Sequence, residues 1–329
     1  ILFNTPKPLN DKTINKIKKY KIKLHKKDPN LNINLSGINL LTPTMLASGI
    51  LGLSADIFDR IYDEKAGAIV TKSISVNPRK PYSNPTIIGV ENGMLNAVGL
   101  ANPGVKEFKK EISEIKSPIP VIVSVFGSSS EEISKVISMI DSDIISAFEL
   151  NLACPHVKGV GLEMGSDPKI VHQIVLDAKK STSKPVFAKL SPNIIDLVNV
   201  AKSAEDAGAD AITATNTIRA MAINIDTRSP ILSNNIGGMS GRSLKPISIR
   251  CVYELYQQVK IPIIGCGGVE NWKDVLEYLM AGASAVQIGT AISYQGVEIF
   301  RNISNGLNKY LSNEGIKDVN NIIGIAHRA

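Results

Sequence analysis

The chain has little cysteine. Cys154, Cys251 and Cys266 are the only three in 329 residues, with no CxxC pair and no cysteine–histidine spacing. That excludes a disulfide scaffold, structural zinc or an iron–sulfur cluster built within this chain; no metal site is expected, and any cysteine chemistry is that of a single thiol. Long apolar runs are missing as well. No stretch of about 18 apolar residues occurs, so no membrane-spanning helix is expected, and no secretory signal pattern opens the sequence. A cytoplasmic protein is the expectation. The GxGxxG dinucleotide fingerprint is also absent, because GCGGVE (265–270) has Glu270 where the last glycine belongs.

A surplus of charge is missing from most of the chain. The net charge is +7, yet residues 1–28 alone hold nine lysines against Asp11 and Asp28, leaving 28 of the 37 basic and 28 of the 30 acidic residues for the rest. A neutral body gives no reason to expect a nucleic-acid partner. The lysine run NKIKKYKIKLHKK belongs to a basic extension, residues 1–31, read as a solvated or weakly helical lead able to touch anionic surfaces.

What is present is globular composition, 43% hydrophobic and 20% charged, and a repeated unit. Short apolar runs alternate with helix-period segments, the pattern of parallel strands and crossover helices. Eight runs are found: TPTMLASG (42–49), AIVTKS (68–73), PVIVSVFG (120–127), AFELNLAC (147–154), PVFAKLS (185–191), AITATN (211–216), IPIIGCGG (261–268) and AVQIGT (285–290). Pro43, Pro120, Pro185 and Pro262 open the odd-numbered runs, where a missing N–H is tolerated. The tripeptide AGA precedes the second, sixth and eighth, its glycine suited to a left-handed helix cap. In NWKDVLEYLMAG, Asn271 caps a helix with Val275, Leu276, Leu279 and Met280 on one face and Gly282 at its end.

Eight such units predict a (β/α)8 barrel over residues 32–312, with residues 313–329 as a C-terminal tail. Residues 32–43 form a hairpin turning at Ser36 and Gly37, placed under the barrel. The insertion Val76 to Ser117 is too long for a simple crossover and is read as an active-site loop.

Reacting groups of such barrels collect at the strand C-termini. Those ends hold Ser48, Gly49, Lys72, Ser124, Asn151, Cys154, Lys189, Asn216, Thr217, Gly267, Gly268, Gly289 and Thr290. The glycine pairs after the seventh and eighth runs, together with GGMSG (237–241), suit a phosphate held by bare backbone N–H groups, as in a mononucleotide. Lys72 and Lys189 are costly inside a barrel unless paired, and no Asp or Glu stands among the strand ends, so an anionic ligand is their expected partner. Asn96, Asn151 and Asn216 offer donors and acceptors to a ligand with amide-like edges.

Nine ordered segments, ASG (47–49), VTKS (70–73), MLNAVGLANPG (94–104), ELNLACP (149–155), AKLSPN (188–193), ATNT (214–217), GGMSG, IIGCGGV (263–269) and AVQIGTA (285–291), together resemble dihydroorotate dehydrogenase, nearest the class 1B catalytic subunit of archaeal or bacterial type. The resemblance covers roughly residues 33–305. It implies oxidation of dihydroorotate to orotate with FMN in pyrimidine biosynthesis. It implies FMN contacts at Ser48, Lys72, Ser73, Ser124, Asn151, Lys189, Thr215, Gly241, Gly267, Gly268, Gly289 and Thr290, and pyrimidine contacts at Lys72, Asn96, Ala97, Val98, Gly99, Leu100, Asn151, Asn216 and Thr217. It makes Cys154 the general base at substrate C5, Lys189 the group that stabilises negative charge on reduced flavin, and Lys72 a second source of positive potential. Gly159, Gly161 and Gly165 suggest a segment that moves over the substrate.

Two residues depart from the family pattern NxSCPN: Ala153 replaces serine and His156 replaces asparagine. CPH is similar to the flavin domain of dihydropyrimidine dehydrogenase, so a uracil-type ring is the alternative substrate. The class 1B resemblance further implies an electron-transfer subunit with FAD and a 2Fe–2S cluster, NAD as terminal acceptor, and a homo-oligomer or heterotetramer; fumarate or another soluble oxidant is the alternative acceptor.

Overall fold

The structure, a computed structural model, describes residues 28–152 and 165–328. The chain opens with the hairpin strands β1 (Ile33–Leu35) and β2 (Ile38–Leu40). β3 (Thr44–Leu46) and β4 (Ala68–Val70) begin the barrel, β5 (Ile87–Val90) and β6 (Gly93–Asn96) leave it, and β7 (Val121–Val125), β8 (Ile145–Asn151), β9 (Val186–Leu190) and β10 (Ala211–Ala214) return to it. A second excursion holds β11 (Ile218–Ala220), β12 (Ile223–Asn224), β13 (Ser229–Pro230) and β14 (Gly237–Ser240) before β15 (Ile263–Cys266) and β16 (Ala285–Ile288) close the ring. The closed order is β10, β15, β16, β3, β4, β7, β8, β9, with every pairing parallel. This is the (β/α)8 barrel that the eight runs predict.

The entrance residues work through their carbonyls. Pro43, Pro120, Pro185 and Pro262 cannot donate, but each accepts the first rung of the ladder, from Val286, Ile69, Phe148 and Ile212 respectively. The helix Trp272–Ala281 starts with a capping box between Asn271 and Asp274 and stops at Gly282 in the left-handed region, φ 117°. Gly208 is left-handed too, φ 94°. The first AGA differs: Lys65 takes the left-handed cap, φ 67°, and Gly67 is needed because a Cβ there would run into the Thr42 carbonyl oxygen. Close approach, not backbone hand, selects that glycine.

The hairpin at 33–40 turns on Ser36 and Gly37, both with positive φ, as a tight two-residue turn requires. The insertion after β4 is more than a loop. It carries β5 and β6, which join β14 and β11 in a four-stranded antiparallel sheet with Asn96 paired to Gly238 and Ile218 to Met239. Two excursions far apart in the chain, at β6 and β11, therefore build one cover together, with its own small core of Leu95, Ala97 and Leu232. Past the predicted barrel limit, Val319 and Ile322 are buried in the main core, Val319 N–H donates to Asn30, and His327 stacks on Tyr253 at 3.9 Å between ring centroids. The described residues that flank the barrel, around Asn30 and from Val319 to His327, are tied to it and to each other.

Candidate active site

One cavity opens at the C-terminal ends of the barrel strands, beneath the four-stranded cover. Of the residues singled out in the sequence, Ser48, Lys72, Ser73, Asn96, Val98, Gly99, Leu100, Asn151, Lys189, Thr215, Asn216, Thr217, Gly241, Gly267, Gly268, Gly289 and Thr290 all line it. Of the described ones, two are set back from that wall. Ser124 is fully buried and touches Ser73 Oγ at 2.8 Å, so it supports the wall from behind. Ala97 packs into the small core of the cover. Cys154, with Ala153, His156, Gly159 and Gly161, lies outside the described residues; β8 leads to it through Leu152.

The wall that follows β15 and β16 is built from bare backbone. Gly267 and Gly268 follow β15 with φ 135° and 68°, values that only glycine adopts readily. A Cβ on Gly268 would stand 2.8 Å from the Gly241 carbonyl oxygen and 2.7 Å from Lys245 Cβ. Among the described residues no acceptor takes the N–H groups of Gly267, Gly268, Gly289 or Thr290. Four unpaired donors on one cavity wall match the oxygens of a phosphate, and a buried donor left unmade is costly. Tyr278 Oη donates to the Gly267 carbonyl at 2.6 Å, and Thr290 Oγ1 to Ser240 Oγ at 2.8 Å, which fixes both turns.

Elsewhere the lining carries amides and hydroxyls. Asn151 Nδ2 donates to Ser73 Oγ at 2.9 Å, Thr217 N–H to Asn216 Oδ1 at 2.8 Å, and Asn96 Nδ2 to the Gly238 carbonyl at 3.2 Å. Asn193, from the AKLSPN motif, donates to the Thr217 carbonyl at 3.1 Å and holds that loop in place.

The two lysines differ. Lys72 has no ion-pair partner among the described residues, and burial holds its ammonium below the ordinary lysine range. It is the cation available to an anionic ligand. Lys189 does have a carboxylate partner, contrary to the expectation from the strand ends: Glu149 Oε1 lies 3.4 Å from its Nζ, and Gln287 Oε1 accepts from it at 2.8 Å. Burial alone would push Lys189 down, but the Glu149 carboxylate, with Cys266, outweighs it and holds the lysine above its usual value. Glu149 and Gln287 escaped the sequence reading because it took only strand ends; Glu149 sits two residues deeper in β8. The signal was there, a charged residue inside an apolar run, two positions from Asn151 and so on the same face. Cys266 also lines the cavity, its thiol pushed up by burial. Cys251 is fully buried in the helix Lys245–Tyr256 and pushed up to about 11 by burial, an inert core residue.

Comparison with known proteins agrees with this geometry. Residues 30–311 match the family model of dihydroorotate dehydrogenase. Over 296 residues the chain is 48% identical to a Thermococcus kodakarensis protein named dihydroorotate dehydrogenase B (NAD(+)), catalytic subunit, covering 90% of this chain and 98% of the relative. A Methanocaldococcus jannaschii protein of the same name is 41% identical over 302 residues, covering 90% and 98%. The fold is shared with the crystal structure of an Eimeria tenella dihydroorotate dehydrogenase in complex with ferulenol, at a TM-score of 0.80 and 21% identity over 99% of this chain and 97% of that one. The chain belongs to the dihydroorotate dehydrogenase family, flavin-dependent oxidoreductases, and it oxidises dihydroorotate to orotate in pyrimidine biosynthesis.

Proposed function

We propose that the flavin is FMN and that its electrons pass to NAD through a separate electron-transfer subunit carrying FAD and a 2Fe–2S cluster. The observation that carries the FMN reading is the cluster of unpaired N–H groups on Gly267, Gly268, Gly289 and Thr290, which suits one terminal phosphate. The NAD reading is supported by the names of the Thermococcus and Methanocaldococcus relatives. The chain's own three cysteines show no cluster spacing, which leaves the second redox group to a partner, in a heterotetramer or alongside a homo-oligomer of this chain in the cytoplasm.

FMN, when bound, supplies the hydride acceptor for substrate C6. The chain supplies the rest. Thr215, Gly241 and the glycine pairs hold the cofactor, with Ser48 and Ser73 beside it. Lys72, desolvated and without an ion-pair partner among the described residues, would face the substrate carboxylate, and Asn96, Asn151, Asn216 and Thr217 would hold the pyrimidine edges, with Val98 to Leu100 over the ring. Cys154, two residues beyond Leu152, takes the C5 proton as general base. Lys189 stabilises the negative charge that the cofactor acquires.

The orotate reading is favoured over a uracil-type ring by Lys72, since only the orotate pair carries a carboxylate for that ammonium. Anaerobic mixing of the FMN-loaded protein with dihydroorotate or dihydrouracil tests it: bleaching by dihydroorotate is expected, and bleaching by dihydrouracil alone would refute it. NAD reduction with and without the copurified subunit tests the electron route; equal rates without the subunit would refute that part.

A further inference from the structure

At the cavity floor, three side chains from three strands close a polar ring across the bore of the barrel, and Thr213 on a fourth strand donates into it. Lys189 Nζ donates to Gln287 Oε1 at 2.8 Å, and Gln287 Nε2 donates to Glu149 Oε2 at 2.6 Å. Thr213 Oγ1 donates to the same carboxylate oxygen at 2.9 Å, while Glu149 Oε1 faces Lys189 Nζ at 3.4 Å. Glu149 and Thr213 are 0% exposed, Gln287 1% and Lys189 5%. Water does not screen these contacts.

A barrel core does not require such a ring. A buried ion pair is seldom better for stability than an apolar layer of the same volume, because desolvation offsets the attraction. Its place at the cavity floor points to a role in the site. An ammonium has three donors. Here one goes to Gln287 while the Glu149 carboxylate stands at ion-pair distance, and since Lys189 lines the cavity, donor capacity remains for a ligand. Gln287 has its carbonyl on the lysine and its amide nitrogen on the glutamate, so charge on both sides settles its orientation and keeps the lysine at a set height.

We propose that Glu149 and Gln287 are positioning residues: Glu149 keeps Lys189 protonated inside the bore, and Gln287 aims it so that one N–H is presented to the ring of the bound flavin. Its consequence for the flavin rests on the FMN reading above; the ring itself does not. Among the described residues the titratable groups that face Lys189 are Glu149 on β8 and Cys266 on β15; Thr213 and Gln287 do not titrate. Removing the carboxylate leaves desolvation unopposed except by a thiol that burial keeps protonated. The lysine then loses its proton at lower pH.

The test uses the FMN-free full chain. Acetylation of Lys189 by acetic anhydride, read by mass spectrometry over roughly pH 6 to 11, reports the unprotonated fraction. With Glu149→Gln, labelling near neutral pH is expected to rise at least about tenfold over the parent protein, and Glu149→Asp is expected to restore most of the protection. Labelling of Glu149→Gln within about twofold of the parent would overturn the proposal. If Glu149→Gln does not fold, Gln287→Met decides: labelling stays within about twofold, because Glu149 remains, while FMN affinity falls about tenfold. Unchanged FMN affinity in that variant would overturn the aiming role. A parent protein that binds no FMN would instead refute the flavin reading and leave the labelling result standing.

Discussion

Two glycines of the same backbone hand separate the phosphate wall from mere chain geometry. Gly268 (φ 68°) lines the cavity, and a Cβ there would stand 2.7 Å from Lys245 Cβ and 2.8 Å from both the Gly241 carbonyl oxygen and the Lys245 nitrogen. Gly208 (φ 94°) lies behind the helix Leu197–Asp206, where the nearest atom to a Cβ would be Lys179 Cγ at 3.8 Å. Alanine at either position pays the left-handed penalty, about 1–2 kcal/mol. Gly208→Ala should lose only that. Gly268→Ala meets backbone that cannot rotate away, and overpacking adds about 1–3 kcal/mol, for a total of about 2–5. The relief available to it is a shift of the 267–268 turn, which moves the free N–H groups. Loss of one hydrogen bond to a charged group, about 1.5–3 kcal/mol, corresponds to about a ten- to hundredfold weaker FMN complex. Urea unfolding of the FMN-free protein measures the first quantity and fluorescence titration with FMN the second. Gly208→Ala should bind FMN like the parent. If Gly268→Ala also does, the glycine wall does not hold the phosphate.

Three further outcomes are expected. Cys154→Ser should keep FMN but reduce it about 10²- to 10⁴-fold more slowly in stopped-flow mixing with dihydroorotate, the range of a general base; an undiminished rate removes Cys154 from the reaction. Tyr278→Phe should cost about 0.5–1.5 kcal/mol in urea unfolding, because the Gly267 carbonyl loses its 2.6 Å donor, and should weaken FMN binding more than it weakens orotate binding. Burial lowers Lys72 from the ordinary 10.5, so the free protein carries that charge only below a depressed value. Orotate should therefore bind at full strength at low pH and weaken by about tenfold per unit once pH passes that value, before other lysines titrate, and Lys72→Met should flatten the curve in isothermal titration.

The strands were legible because all but the fourth announce their own entrance. Pro43, Pro120, Pro185 and Pro262, and the AGA tripeptides before the second, sixth and eighth strands, mark chain geometry that any strand or helix end must satisfy locally. The site glycines were legible for the same reason: a positive φ is a property of one residue. The insertion after β4 does line the cavity, but its strands are not legible locally because they depend on a partner far along the chain, with Asn96 pairing Gly238 across the cover. Neither segment has a sheet to join until the barrel brings both to its mouth.

The order of motifs and their residue types determined the barrel, the face of it that reacts and the family, since all three follow from local pattern read along one strand at a time. Only the closed ring decided that Lys189 meets Glu149 and Gln287, because their three strands come together around a common bore and no spacing along the chain records that distance. It also decided that Lys72, in a similar strand-end position, lines the cavity without a carboxylate partner among the described residues.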